Sequence, residues 1–239
     1  MHPDARDRGI NHLGLLDVEL RVSESAHSAQ RATAELLAGA AARGGHIAVS
    51  GGETPRPAYE TAARLAPDWS RTELWWADER CVPPKDQRSN YRLVRETLLD
   101  RLDRSPAVEH RVRGELRPQR AADEYDRELR GVGFDLVLLG IGPDGHTASL
   151  FPNDSALAEE TRRAVAVRRA DGSRVSMTLP VLNAARTIVF LVVGDEKAAA
   201  VARAFAGEPS PATPASLARS TSGSTIVLLD RAAAAGLPG

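Results

Sequence analysis

The stretch HIAVSGGETPRPAYETAARL, residues 46–65, is where the fold is first legible. It runs from a short apolar, β-rich segment (residues 46–50) through paired glycines into a helical pattern (residues 55–65). An apolar run that is continuous rather than alternating suits a strand buried on both faces, as in parallel sheets. Thr54 is a good helix N-cap, and Pro55 suits a first helical position. Gly51 and Gly52 permit a tight turn that exposes backbone N–H groups at a helix N-terminus, a ready anion site. The same residues also describe an ordinary strand–helix connection that binds nothing, because short glycine motifs discriminate weakly.

The pattern repeats on both sides of this unit. Upstream, VELRV (residues 18–22) alternates like a short strand, with Ser23 or Ser25 as cap for a helix to about Arg43, which Gly44 and Gly45 stop. Downstream come the apolar runs ELWWA (73–77), FDLVLL (134–139), TIVFLVV (187–193) and STIVLL (224–229). Helical stretches are expected at 55–65, 90–102, 120–130 and 196–205. Strands alternating with helices predict an α/β fold, a doubly wound and mostly parallel sheet with helices on both faces. No Pro/Gly/Ser linker interrupts the 239 residues, so one domain over 1–239 is expected, with 1–11 and 232–239 peripheral or frayed.

Bulk composition narrows the function classes. The formal net charge is -1, so nothing argues for a nucleic-acid partner. Positive charge is almost wholly arginine; the only lysines are Lys85 and Lys197, which makes each lysine conspicuous. The single cysteine, Cys81, forbids an intramolecular disulfide and fits a reducing compartment. Met1 to Asn11 lacks an apolar signal core, and no uncharged apolar segment is long enough to span a bilayer. A cytoplasmic protein without membrane partner is expected, acting as a monomer or weak homo-oligomer.

In doubly wound sheets the ligand crevice lies beyond the C-terminal strand ends, and there this sequence concentrates its unusual residues. ELWWA runs into Asp78-Glu79-Arg80, three charges suited to the floor of a polar crevice or to a solvated turn, with Ser89-Asn90 as cap of the next helix. FDLVLL runs into GIGPDGHTASLFP (140–152). Pro143-Asp144-Gly145 makes a turn that presents His146 at an expected helix start, with Asp144 able to orient the imidazole. A neutral imidazole so placed suits a general base. TIVFLVV runs into Gly194-Asp195-Glu196-Lys197, where a lysine one helical turn in can reach the crevice or the surface. No zinc or iron ligand spacing, Gly-x-Ser-x-Gly elbow, Walker loop or complete dinucleotide glycine motif is present.

Taken in order, Ser50-Gly51-Gly52-Glu53-Thr54-Pro55, Asp78-Glu79-Arg80 with Ser89-Asn90, the 140–152 run, RVSMTLPVLNAA (174–185) and Gly194-Asp195-Glu196-Lys197-Ala198 resemble the 6-phosphogluconolactonase family. The resemblance extends from about residue 15 to 230, and its most specific part is Asp-Gly-His-Thr-Ala-Ser-Leu-Phe-Pro. Glu53 departs from it, since the family often has serine there. The resemblance implies a Rossmann-like fold shared with sugar-phosphate isomerases and glucosamine-6-phosphate deaminases. It implies hydrolysis of 6-phospho-D-glucono-1,5-lactone, the second step of the oxidative pentose phosphate pathway, with no metal or organic cofactor. By matching position it implies His146 as base beside Asp144, Arg174 and Lys197 as phosphate contacts, and Arg80 lining the site with Gly51, Gly52 and Thr54. Two alternatives share parts of the pattern. Glucosamine-6-phosphate deaminases read Asp-Gly-His-x-Ala-Phe-Asn-Glu-Pro with a catalytic glutamate, where this chain has Phe151. Non-catalytic sugar-phosphate sensors carry a DNA-binding domain, for which this chain has no basic helix.

Overall fold

The apolar runs become strands, and the charged or glycine-rich segments between them become the turns that carry the chemistry. The computed structural model describes residues 11–13 and 18–238. In chain order the elements are β1 (Asn11–Leu13), β2 (Val18–Ser23), α1 (Ala26–Arg43), β3 (Gly45–Val49), α2 (Arg56–Leu65), β4 (Thr72–Trp76), β5 (Asp78–Arg80) and α3 (Asn90–Thr97). After these come β6 (Val108–His110), α4 (Pro118–Glu128), β7 (Leu136–Leu139), β8 (Ala164–Arg169), β9 (Gly172–Met177), α5 (Leu179–Asn183), β10 (Thr187–Val192), α6 (Ala198–Phe205) and β11 (Ser224–Asp230).

Eight strands form one sheet in the order β1-β2-β11-β10-β7-β3-β4-β6, parallel throughout except for the β1–β2 pair. Alternation along β3 shows why both faces are apolar. Ile47 and Val49 pack with Leu37 of α1, Tyr59 of α2 and Leu93 of α3. Ala48 faces the opposite layer, which contains Tyr125 of α4, Leu182 of α5 and Phe205 of α6. The adjacent tryptophans of β4 split likewise, Trp75 to one layer and Trp76 to the other, both fully buried. The α/β, doubly wound and mostly parallel architecture is therefore as expected, with helices on both faces.

Several local expectations are corrected. Ser25 is the cap of α1, its hydroxyl accepting from the Ser28 N–H at 3.2 Å, and Gly44 ends the helix at φ 80°. The helix expected over 90–102 stops at Thr97 and continues only as a 3-10 turn, Leu99–Arg101. Thr54 does not cap α2: Pro55 occupies the cap position, no side chain bonds there, and Pro57 takes up an early helical place. A second sheet, antiparallel in the order β5-β9-β8, was not anticipated, because β5 has only three residues and all three strands carry charged residues that break the continuous apolar run. At the C-terminus, Ala233 is fully buried and Leu237 packs against the core. The Asp230 carboxylate turns the chain back by accepting the Ala233 N–H at 2.8 Å. Of the N-terminal stretch expected to be peripheral, only Asn11 lies within the described residues.

Candidate active site

Strand order reverses between β7 and β3: one series runs β3-β4-β6, the other β7-β10-β11. A crevice must open beyond the C-terminal ends at such a switch point. There lies a cavity of about 270 Å³, walled by the glycine loop after β3, Asp78 and Arg80 of β5, Asn90, the turn after β7, and Lys197 before α6. Of the residues singled out from sequence, Gly51, Gly52, Thr54, Arg80, His146 and Lys197 meet there.

The glycine loop is held from below. Tyr59 donates its hydroxyl proton to the Ser50 carbonyl at 2.6 Å and accepts the Ser50 N–H at 3.1 Å, while Ser50 Oγ donates to the Leu138 carbonyl at 2.8 Å. Gly52 sits at φ 98°, a conformation that favours glycine. Gly51 is required by crowding instead: a Cβ there would lie 1.9 Å from Asn90 Oδ1. Glu53 points away, its side chain largely exposed and 3.0 Å from Arg56 Nε.

The turn after β7 fixes the histidine. His146 Nδ1 lies 2.6 Å from Asp144 Oδ1, which also accepts the His146 N–H at 3.0 Å. An ionised carboxylate only accepts, so it holds the tautomer with the proton on Nδ1 and leaves Nε2 as the free base. Burial alone would raise the Asp144 carboxyl, but the backbone and ring hydrogen bonds from His146 outweigh it and hold the group below the usual carboxylate range. His146 does not open a helix, contrary to expectation. Ala148 at φ 47° reverses the chain and Thr147 pairs back to Leu150. The reversal is secured by Thr147 Oγ1 donating to the Gly140 carbonyl (2.9 Å) and by the Ser149 N–H donating to Ser176 Oγ (3.1 Å). A left-handed alanine over-determined in this way is the kind of strain found at functional turns. The Phe151 ring packs against the imidazole, centroids 4.6 Å apart.

The cations divide. Lys197 lines the cavity at the N-cap position of α6, after a 3-10 turn rather than one turn into a helix, and among the described residues it has no ion-pair partner. Arg80 also lines it; one guanidinium nitrogen donates to the Arg88 carbonyl at 2.8 Å, and its buried Nε has no partner. Arg174 is not among the wall residues. It lies opposite Arg80 in the β5–β9 register, yet its guanidinium forms a two-point pair with Asp171 (2.9 and 2.7 Å) and rests 5.4 Å from the Phe151 ring centre.

Two wall residues escaped the sequence reading as site residues. Asp78 is buried, accepting from Ser149 Oγ at 2.6 Å and from Asn90 Nδ2 at 3.1 Å; the same amide donates to the Asp78 carbonyl at 2.9 Å. This network ties β5, α3 and the histidine turn together. The available signal for Asp78 was a carboxylate directly after the core residues Trp76 and Ala77. Glu79, between Asp78 and Arg80, turns away into the protein, where burial pushes its carboxyl up to about 7 against the pull of three backbone N–H donors. Cys81 is a free thiol that burial pushes up to about 11, which keeps it unreactive.

Comparison with known proteins agrees with this geometry. Residues 21–227 match the family described as glucosamine-6-phosphate isomerases/6-phosphogluconolactonase. A 6-phosphogluconolactonase of Synechocystis sp. is 40% identical over 79% of this chain and 83% of that protein. The human 6-phosphogluconolactonase is 38% identical over 86% of this chain and 85% of that protein. The crystal structure of 6-phosphogluconolactonase from Thermotoga maritima superposes with a TM-score of 0.75 at 28% identity, covering 91% of this chain and all of that one. A strand-order reversal, an oriented histidine over it and relatives matched along most of their length converge: the chain belongs to the glucosamine-6-phosphate isomerase/6-phosphogluconolactonase family.

Proposed function

We propose that this chain hydrolyses 6-phospho-D-glucono-1,5-lactone to 6-phosphogluconate, the lactone-opening step of the oxidative pentose phosphate pathway. The observation that carries the reading is His146 at the cavity wall, with its Nδ1 engaged by Asp144 and Nε2 left to take a proton. His146 Nε2 removes a proton from one water as its oxygen bonds to C1 of the lactone. The charge that develops on the carbonyl oxygen is met by the backbone N–H groups of the Gly51-Gly52 loop on the wall. The C1–ring-oxygen bond then breaks, and the ring oxygen takes its proton from the imidazolium, which returns the base to its starting state. Proton transfer of this kind supplies ~10²–10⁴-fold. Lys197 and Arg80 are the cations we assign to the phosphate side of the cavity. Arg174 joins them only by leaving Asp171, so we assign it a secondary role there.

Phe151 favours the lactonase over the deaminase reading. Its ring fills the space beside His146 where the deaminase pattern puts a glutamate, and a phenyl group moves no protons. No step needs a metal, and among the described residues no group of three His, Cys, Asp or Glu side chains is placed to hold one. Among the described residues no helix is long and apolar enough to cross a membrane. The lone, half-buried cysteine supports our placement in the cytoplasm. The test is acid release from freshly made lactone in a pH-stat, beside ammonia release from glucosamine 6-phosphate. The proposal expects the first well above spontaneous hydrolysis and the second at background. The reverse pattern would overturn it.

A further inference from the structure

Glu79 belongs to no wall of the cavity, yet it is only 2% exposed and its carboxylate collects four donors. Oε1 accepts the Arg80 N–H and the Asn90 N–H, each at 2.7 Å. Oε2 accepts the Tyr91 N–H at 2.7 Å and Ser89 Oγ at 3.0 Å. A buried carboxylate is costly to desolvate, and a helix start can be capped by a serine alone, as Ser89 already does for α3 by accepting the Arg92 N–H at 3.2 Å. Ser89 meets only the Arg92 N–H, so capping accounts for the Asn90 and Tyr91 donors of Glu79 but not for the Arg80 N–H. What Glu79 does uniquely is join on one oxygen the main chains of two residues that face the cavity from different elements, Arg80 on β5 and Asn90 on α3.

We propose that Glu79 is a positioning residue, whose single oxygen shared by the Arg80 and Asn90 main chains fixes these two wall residues at the separation substrate binding needs. In its ionised form the carboxylate only accepts, and all four donors are then matched at once; an amide would turn an NH₂ group toward at least one of them. Arg80 has a second restraint, its bond to the Arg88 carbonyl, and Asn90 has two bonds to Asp78, but none of these links Arg80 to Asn90 directly. His146 and Asp144 stand on another loop and make no contact with Glu79, so the defect should fall on binding rather than on proton transfer.

The inference rests on the lactonase reading, so parental turnover of 6-phosphogluconolactone is measured first; its absence would speak against that reading and not against the wiring of Glu79. With an active parent, Glu79→Gln is expected to raise KM about tenfold or more while kcat changes less than about threefold, the pattern of lost binding shared by ground and transition states. Ser89→Ala serves as the control. It removes the cap of α3 and one donor to Oε2, lowering Tm, but leaves both bonds on Oε1, so its KM should stay near the parental value. Should Glu79→Gln fail to fold, Glu79→Asp, which withdraws the carboxylate by one methylene, is read by the same criterion. A parental KM in the folded Glu79 variant overturns the proposal. So does an equal rise in KM for Ser89→Ala at a similar loss of Tm, since Glu79 would then be a helix stabiliser only.

Discussion

Adding one methyl group at Gly51 should damage both stability and activity, and the structure sets the size of the effect. The new Cβ would lie 1.9 Å from Asn90 Oδ1 and 2.3 Å from its Cγ. Comfortable contact needs about 3.5 Å, so the amide must retreat by roughly 1.5 Å. It has nowhere cheap to go: Asn90 is 2% exposed, and its amide nitrogen is held by the Asp78 carbonyl and carboxylate. Overpacking costs ~1–3 kcal/mol, and losing a hydrogen bond to a buried carboxylate costs about 1.5–3 kcal/mol more. Together these give roughly 2.5–6 kcal/mol, which in a chain of this size lowers Tm by about 5–24 °C. Because Asn90 is cavity wall, kcat/KM should also fall by at least about tenfold. The assay is thermal unfolding of Gly51→Ala, Asn90→Ala and the double variant, with lactone kinetics on each. In the Asn90→Ala background the clashing atoms are gone, so the added methyl should cost less than about 1 kcal/mol, a strongly non-additive cycle. A Tm within about 2 °C of the parent for Gly51→Ala, or the same loss in both backgrounds, would refute the reasoning.

Other consequences are equally measurable. Lys197→Ala should lose about 30-fold or more in kcat/KM on the phosphorylated lactone, the scale for removing one partner of a desolvated charge pair, and much less on gluconolactone, which has no phosphate; equal losses on both substrates would withdraw the phosphate assignment. Arg174→Ala should cost less than Lys197→Ala, because its guanidinium is already held by Asp171; a larger loss would show that it swings into the cavity when substrate binds. Asp144→Asn should slow kcat less than loss of the imidazole does. Its carboxyl is held below its usual range in the folded state, so its contribution to stability is present above the ordinary carboxylate pKa of about 3.9 and is lost as pH falls through its lower folded value. The Tm advantage of the parent over Asp144→Asn should therefore shrink on acidification; an advantage that grows would contradict the assigned direction.

Much of this was legible in the amino-acid sequence, for a physical reason. A parallel strand buried on both faces must be a continuous apolar run, so 46–50, 73–77, 134–139, 187–193 and 224–229 announce themselves, and polar residues just past such runs fall on the crevice side. His146, Lys197 and the glycine pair were found that way. The small sheet was hidden because Asp78–Arg80 is only three residues long, and its charges, like Arg174 in Gly172–Met177, read equally well as turn. Thr54 had the chemistry of a cap but not the place, since the proline after it took the cap position. The helix expected after His146 is absent because side-chain bonds from Thr147 and to Ser149 hold Ala148 in a left-handed turn, and such tertiary over-determination leaves no local trace. Arg174 was carried over by resemblance, and only the structure reveals its pairing with Asp171.

The central claim is that the histidine held by Asp144 drives lactone hydrolysis, and one measurement meets it directly. Freshly prepared 6-phosphogluconolactone is followed with excess 6-phosphogluconate dehydrogenase and NADP, in parallel for the parent, His146→Ala and buffer alone. The account predicts rapid turnover by the parent and a loss of at least ~10²-fold in kcat for a His146→Ala variant with an unchanged fold. A parent no faster than spontaneous hydrolysis, or a His146→Ala variant with near-parental turnover, would contradict it.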